Sequence, residues 1–235
     1  MIQKTLESSS RVAAGSIGAR VGACAHRVST KTPLILILSA SLALATSPAF
    51  GERSVVLVED GITVESDSEE GRALPIMIGT TTMNASAERI ASWVTAVHTY
   101  VDWQHNCDEA RVLTQPDGSH LTYNRVASPW PVSDRDVVLR SSRAELEGGG
   151  IRLEFRSTED AKLDTPRGVV RMPRLIGSYV LTPTAEGGTH VVYTLDSDPG
   201  GSLPAWLIKQ ASKDLPFRTL KKLKARAEAG PAPAN

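Results

Sequence analysis

Residues 198–210 read DPGGSLPAWLIKQ, a turn followed at once by a helix with one apolar face, near the end of the chain. Pro199 fixes φ at the first central position of a type II turn, and Gly200 accepts positive φ at the second. Ser202 is placed to cap the helix, and Pro204 falls in its first turn, where a missing N–H is harmless. Leu203, Leu207, Ala211 and Leu215 then recur at helical spacing, while Lys209, Gln210 and Lys213 lie away from them. The spacing predicts an amphipathic helix from Leu203 to about Lys224, kinked or interrupted at Pro216, which removes a helical hydrogen bond. A helix that arrives so late must close over something already built.

What precedes it reads as an antiparallel meander. SVVLVEDGITVES places turn chemistry at Glu59, Asp60 and Gly61 between two short runs, and Arg72 to Met83 reads as a further strand. ARVLTQPDGSHLTYNRVA is a hairpin about Pro116, Asp117 and Gly118, and DVVLRSSRAELEGGGIRLEFRS is another about the glycines at 148, 149 and 150. In the latter Ile151, Leu153 and Phe155 alternate with Arg152, Glu154 and Arg156, so one face is buried and the other wet. GSYVLTPTAEGGTHVVYTLDS repeats the pattern around Gly187 and Gly188, with Val191, Tyr193 and Leu195 on one face. One earlier stretch changes period: Ile90, Val94, Val97 and Val101 mark a helix capped by Asn84 or Ser86, broken near Thr99.

The first fifty residues differ in kind. Arg27 and Lys31 precede an apolar run from Pro33 to Ala45, with Ala49 and Gly51 as a cleavage point before Glu52. The run falls short of the roughly 20 apolar residues of a transmembrane helix, so residues 1–51 read as a leader with a secretory signal. The expectation is export to the periplasm or the medium, or anchoring in the membrane if the signal stays uncleaved. From Glu52 the chain carries 25 acidic and 21 basic residues, a balance that does not suit a general nucleic-acid binder. Only Cys107 would remain after cleavage, which excludes an intramolecular disulfide. Residues 52–226 read as one domain, and AEAGPAPAN, from residue 227 to 235, as a disordered tail.

Two stretches carry a resemblance. SPWPVSDRDVVLR, Ser128 to Arg140, and DPGGSLPAWLIKQASKDLPFRTLKKLK, Asp198 to Lys224, resemble the START (StAR-related lipid-transfer) family, within it the phosphatidylcholine-transfer-protein-like branch. There a proline-aromatic-proline segment leads into an Arg-Asp pair opening a strand, and an Asp-Pro-Gly-Gly turn leads into a Pro-x-Trp-Leu helix. The resemblance covers Ser54 to Lys224. It implies an α+β helix-grip fold, a curved antiparallel sheet wrapped around a long C-terminal helix. That fold encloses a tunnel for one lipid, sterol or other hydrophobic molecule, gated by the helix. No cofactor or metal is implied, and a monomer with transient membrane contact is expected.

Candidate ligand-binding residues follow. Leu203, Leu207, Ala211 and Leu215 face the sheet, with Trp206 beside them, and Tyr123 and Trp130 either line the cavity or pack the core. Arg135 and Asp136 read either as a salt-bridged strand entrance or as one tunnel-facing polar group. Several family members place an arginine six residues after that of the Arg-Asp pair. Here Arg140 stands five after and Ser141 sixth, so Arg140 turns to the opposite face unless a bulge intervenes. The same fold also serves polyketide cyclases and aromatases, which is the enzyme alternative, and a solid-core interaction module is the other. His98, His105 and Cys107 lack metal-ligand spacing, and no Ser-His-Asp order or glycine-rich phosphate loop is visible. His120 sits at a hairpin turn and His190 on a strand surface. The basic run KKLKAR, Lys221 to Arg226, reads as a solvated helix end or as a weak contact with anionic membrane.

Overall fold

The computed structural model describes residues 52–68, 74–231 and 233. The leader and its cleavage point lie outside them. Asp60 and Gly61, at φ 51° and 70°, form the two-residue turn joining β1 (Glu52–Glu59) to β2 (Ile62–Ser68). Positive φ at both central residues matches the twist of the flanking strands. β3 (Ile76–Met83) leads into α1 (Ala87–Thr95), capped by Ser86, whose Oγ accepts from the Arg89 N–H at 3.3 Å. The break comes at Ala96, earlier than the spacing predicts, and a 3₁₀ turn over Val97–Thr99 precedes α2 (Tyr100–Trp103). The Tyr100 hydroxyl donates to the Val94 carbonyl at 2.6 Å, satisfying backbone that the break leaves open. Ile90, Val94 and Val97 are buried, but the re-aimed chain leaves Val101 46% exposed.

The strands β4 (Cys107–Thr114), β5 (His120–Val126), β6 (Asp134–Leu146), β7 (Gly150–Ser157), β8 (Val169–Arg171), β9 (Arg174–Pro183) and β10 (Thr189–Asp198) follow. The sheet is open, in the order β1-β2-β3-β10-β9-β7-β6-β5-β4, and β8 pairs in parallel with β6. That short parallel strand has no periodic signal in the sequence. The hairpin turns stand where the turn residues placed them.

The long helix α3 is Ala205–Ala229. Pro204 occupies the N-cap position with no side-chain cap, so Ser202 is not the cap; successive positive φ at Gly200 and Gly201 turn the chain later than a single type II turn would. Pro216 lies buried inside a helix that continues as one element, and α3 extends through residues 227–229, assigned above to the tail. Its two halves differ. Phe217, Leu220, Leu223 and Ala227 pack into the core with β2, β3 and α1, whereas Leu203, Leu207 and Leu215 are only half-buried.

The helix packs tightly over Gly79 of β3, where an added Cβ would stand 2.6 Å from Leu220 Cδ1. Gly79→Ala is therefore expected to lose about 1–3 kcal/mol through overpacking, read as a lowered thermal midpoint.

Candidate functional site

Between the first half of α3 and the concave face of the sheet lies a cavity of about 920 Å³. Period-two alternation decides which side chains reach it. Thr122, Asn124 and Val126 of β5 and Arg135, Val137 and Leu139 of β6 line it. Tyr179 and Tyr193, stacked with centroids 4.4 Å apart and planes 8° from parallel, form part of the far wall on β9 and β10. Leu203, Trp206, Leu207, Ala211 and Leu215 complete it from the helix side. Trp206 is 61% exposed, so the cavity reaches the surface at the start of α3.

The remaining candidates lie elsewhere. Tyr123 is 1% exposed but belongs to a second small core on the opposite face, with Leu121 and Val138 beneath Leu113, Ala161 and Leu163. Both faces of β5 and β6 are covered, so apolar alternation does not reveal which one looks inward. Burial, with the neighbouring Asp136 carboxylate, pushes the Tyr123 phenol up to about 12. Arg140 also faces outward, paired with Asp160 at 2.8 Å, and the unbroken register of β6 with β5 and β7 leaves no bulge to turn it. Trp130 is 93% exposed on the loop before β6 and does not line the cavity.

Arg135 and Asp136 do not bridge each other; as strand neighbours they point to opposite faces. Arg135, 6% exposed, donates to three backbone carbonyls: Nη1 to Ser133 at 2.5 Å, Nη2 to Gly200 at 3.3 Å and Nε to Pro199 at 3.4 Å. Burial holds its guanidinium below the ordinary arginine value. Asp136, fully buried, takes a fork from Arg171 of β8, Nε to Oδ1 at 2.7 Å and Nη2 to Oδ2 at 3.0 Å. Asp134 Oδ1 accepts from the Ser128 N–H at 2.9 Å, closing the Trp130 loop. Asp134, Arg135 and Asp136 thus tie three separate segments to one strand: the Trp130 loop, the turn that launches α3, and β8. The two stretches carrying the resemblance are therefore joined through Arg135.

Asn124 was not singled out from the sequence. It is 6% exposed, lines the cavity, and its Oδ1 is buried without a hydrogen-bond partner. Leaving such a group unsatisfied costs about 1–3 kcal/mol. In HLTYNRV the visible signal was Thr122 and Asn124 as the polar alternates of an amphipathic strand, which pattern alone assigns to water.

His105 lines the same cavity, and burial first, with Arg218 and Lys222 beside it, holds its imidazole below the ordinary histidine value. In the basic run, Lys221 pairs with Asp60 of the β1–β2 turn at 2.5 Å, and Lys224, paired with Glu228 one turn on at 2.8 Å, also donates to the Thr82 carbonyl of β3. That end of α3 is tied to the domain itself, while the exposed aromatic surface is at Trp130 and Trp206.

Comparison with known proteins agrees with this geometry. A START domain model matches residues 74–230. An uncharacterised protein of Pseudomonas aeruginosa is 32% identical over 170 residues, 72% of this chain and 84% of that one. Human phosphatidylcholine transfer protein is 31% identical over 101 residues, 42% of this chain and 47% of its own length. Among solved structures, a STAR-related lipid transfer protein from Xanthomonas axonopodis superposes with a TM-score of 0.67 at 30% identity, covering 74% of this chain and 98% of that one.

Proposed function

The chain belongs to the START domain family, and on that premise we propose that it binds one lipid non-covalently in the cavity behind α3 and carries it between membranes. The cavity is the observation that carries this reading. Held dry and empty, 920 Å³ would cost on the order of 20 kcal/mol, more than the whole stability of a domain. It must therefore hold ligand or water, or collapse. Each buried CH₂ of an acyl chain contributes about 0.8 kcal/mol, so a lipid offsets that cost. The names of two relatives, a phosphatidylcholine transfer protein and a STAR-related lipid transfer protein, support the same reading.

The half-buried first part of α3 serves as the gate. It has few core contacts to lose, whereas the second half is anchored by Leu220 and Leu223. Trp130 and Trp206, exposed at the end of the cavity where Arg135 joins their segments, supply the membrane-facing surface, as interfacial tryptophans do. The leader, in this proposal, exports the domain, so that it works on lipids outside the cytoplasm.

Native mass spectrometry of protein purified from its own host, followed by lipid extraction, tests the reading. A bound lipid at one copy per chain is the expected result. Protein that is consistently empty, and that also fails to take up fluorescent phospholipid or sterol, overturns it.

A further inference from the structure

Resting on that reading, we infer that the polar end of the bound lipid is an uncharged hydroxyl group held by the Asn124 amide. Asn124 lies opposite Val137 in the β5–β6 register, and its inward neighbours on β5 are Thr122 and Val126. Beside Thr122 and the apolar Val126 and Val137, the wall thus carries a buried primary amide whose Oδ1 no protein group among the described residues satisfies. A primary amide offers both an acceptor and donors, and a half-turn of its terminal torsion exchanges their places. A hydroxyl is the matching group, since it donates once and accepts with two lone pairs.

Charged headgroups fit this wall poorly. The cations lining the cavity are already engaged. Arg143 pairs with Glu88 at 2.6 Å and with Glu145 at 2.8 Å, Arg218 stands 3.9 Å from Asp214, and each nitrogen of Arg135 is bonded to a carbonyl. Arg135 alone among them is bonded to no carboxylate, and a phosphodiester would have to compete for its donors with the Ser133, Pro199 and Gly200 carbonyls, the last two of which hold the turn before α3. A quaternary ammonium has no N–H to give and needs aromatic faces. Across the β5–β6 register Asn124 faces Val137 and not an aromatic ring, and the stacked Tyr179 and Tyr193, three and four strands away, each lend one face to the other. The ligand class is therefore a lipid alcohol of the sterol or diacylglycerol kind.

The test crosses the protein group with the lipid group. Uptake from mixed vesicles by the full domain is compared for cholesterol against its methyl ether, and for dioleoylglycerol against its acetate ester. Phosphatidylcholine and phosphatidic acid are the charged controls. Wild type is expected to prefer at least one free alcohol over its capped form by about tenfold, and the pair that shows it says which lipid class is bound. Asn124→Leu keeps the branched outline with somewhat more bulk and removes the polar atoms, so it should fold, lose the preference and bind alcohol and capped lipid alike; Asn124→Ala, which adds no bulk, gives a second reading. Equal binding of both forms by wild type, a preference for either phospholipid, or an alcohol preference that survives in both variants overturns the inference while lipid binding stands. Failure to take up any lipid overturns the proposed function itself.

Discussion

Leu207→Glu is expected to cut lipid uptake at least tenfold while shifting the thermal midpoint little, whereas Leu220→Ala should do the reverse. Both residues sit on α3 and both read as apolar in the sequence, yet they do different work. Leu207 is half-buried and lines the cavity, so its side chain already borders space that water can enter when no lipid is present. A glutamate there remains hydrated in the empty protein, and its cost appears only when a lipid tail would strip that water away. Leu220 is fully buried against β3, above Gly79. Its truncation removes packed methyl groups and leaves a void, for a loss of about 2–5 kcal/mol. Uptake from fluorescent vesicles and thermal denaturation, measured on both variants, check the pair. Equal loss of uptake and stability in Leu207→Glu would make the first half of α3 ordinary core.

The contrast explains what was legible in the sequence. Hairpins were legible because a two-residue turn with positive φ has a short chemical vocabulary, as at Asp60 and Gly61. The late helix was legible from spacing; for Arg140 the strand period gave only that it and Ser141 lie on opposite faces, and its outward turn was read from the one-residue offset to the family pattern, with a bulge left open. Illegible were the features set by what covers a surface. Alternation along β5 separates Tyr123 from Asn124, but does not say which side is inside when a loop segment carrying Ala161 and Leu163 roofs the outer face. The Arg-Asp pair looked like a salt bridge because opposite charges stood side by side. On a strand, adjacency in sequence means opposite faces, and each found its partner far along the chain. Pro216 signalled a break that did not come, since the helix through it is buried against the sheet and packing outweighs one missing hydrogen bond.

Asp136→Ala and Arg171→Ala should be the two most destabilising single changes outside the apolar core. The carboxylate is fully buried, while the Arg171 side chain is 27% exposed, so the pair is asymmetric. Removing the acid strands a guanidinium that can still reach water in part, which places the loss near the lower end of the range for broken buried pairs, about 3 kcal/mol. Removing the base instead, in Arg171→Ala, leaves a carboxylate with no access to solvent and is expected to cost more. Both changes detach β8, whose backbone otherwise joins β6 only over Asp134 to Asp136 and through the Met172 N–H to the Asp136 carbonyl at 2.9 Å. Three kcal/mol in a domain of this size corresponds to a midpoint lowered by about 6–12 °C. The double variant Asp136→Leu with Arg171→Leu should recover much of that loss, because no unpaired charge remains. Additive losses in the double variant would show that the two side chains act independently, and β8 would then be held by its backbone alone.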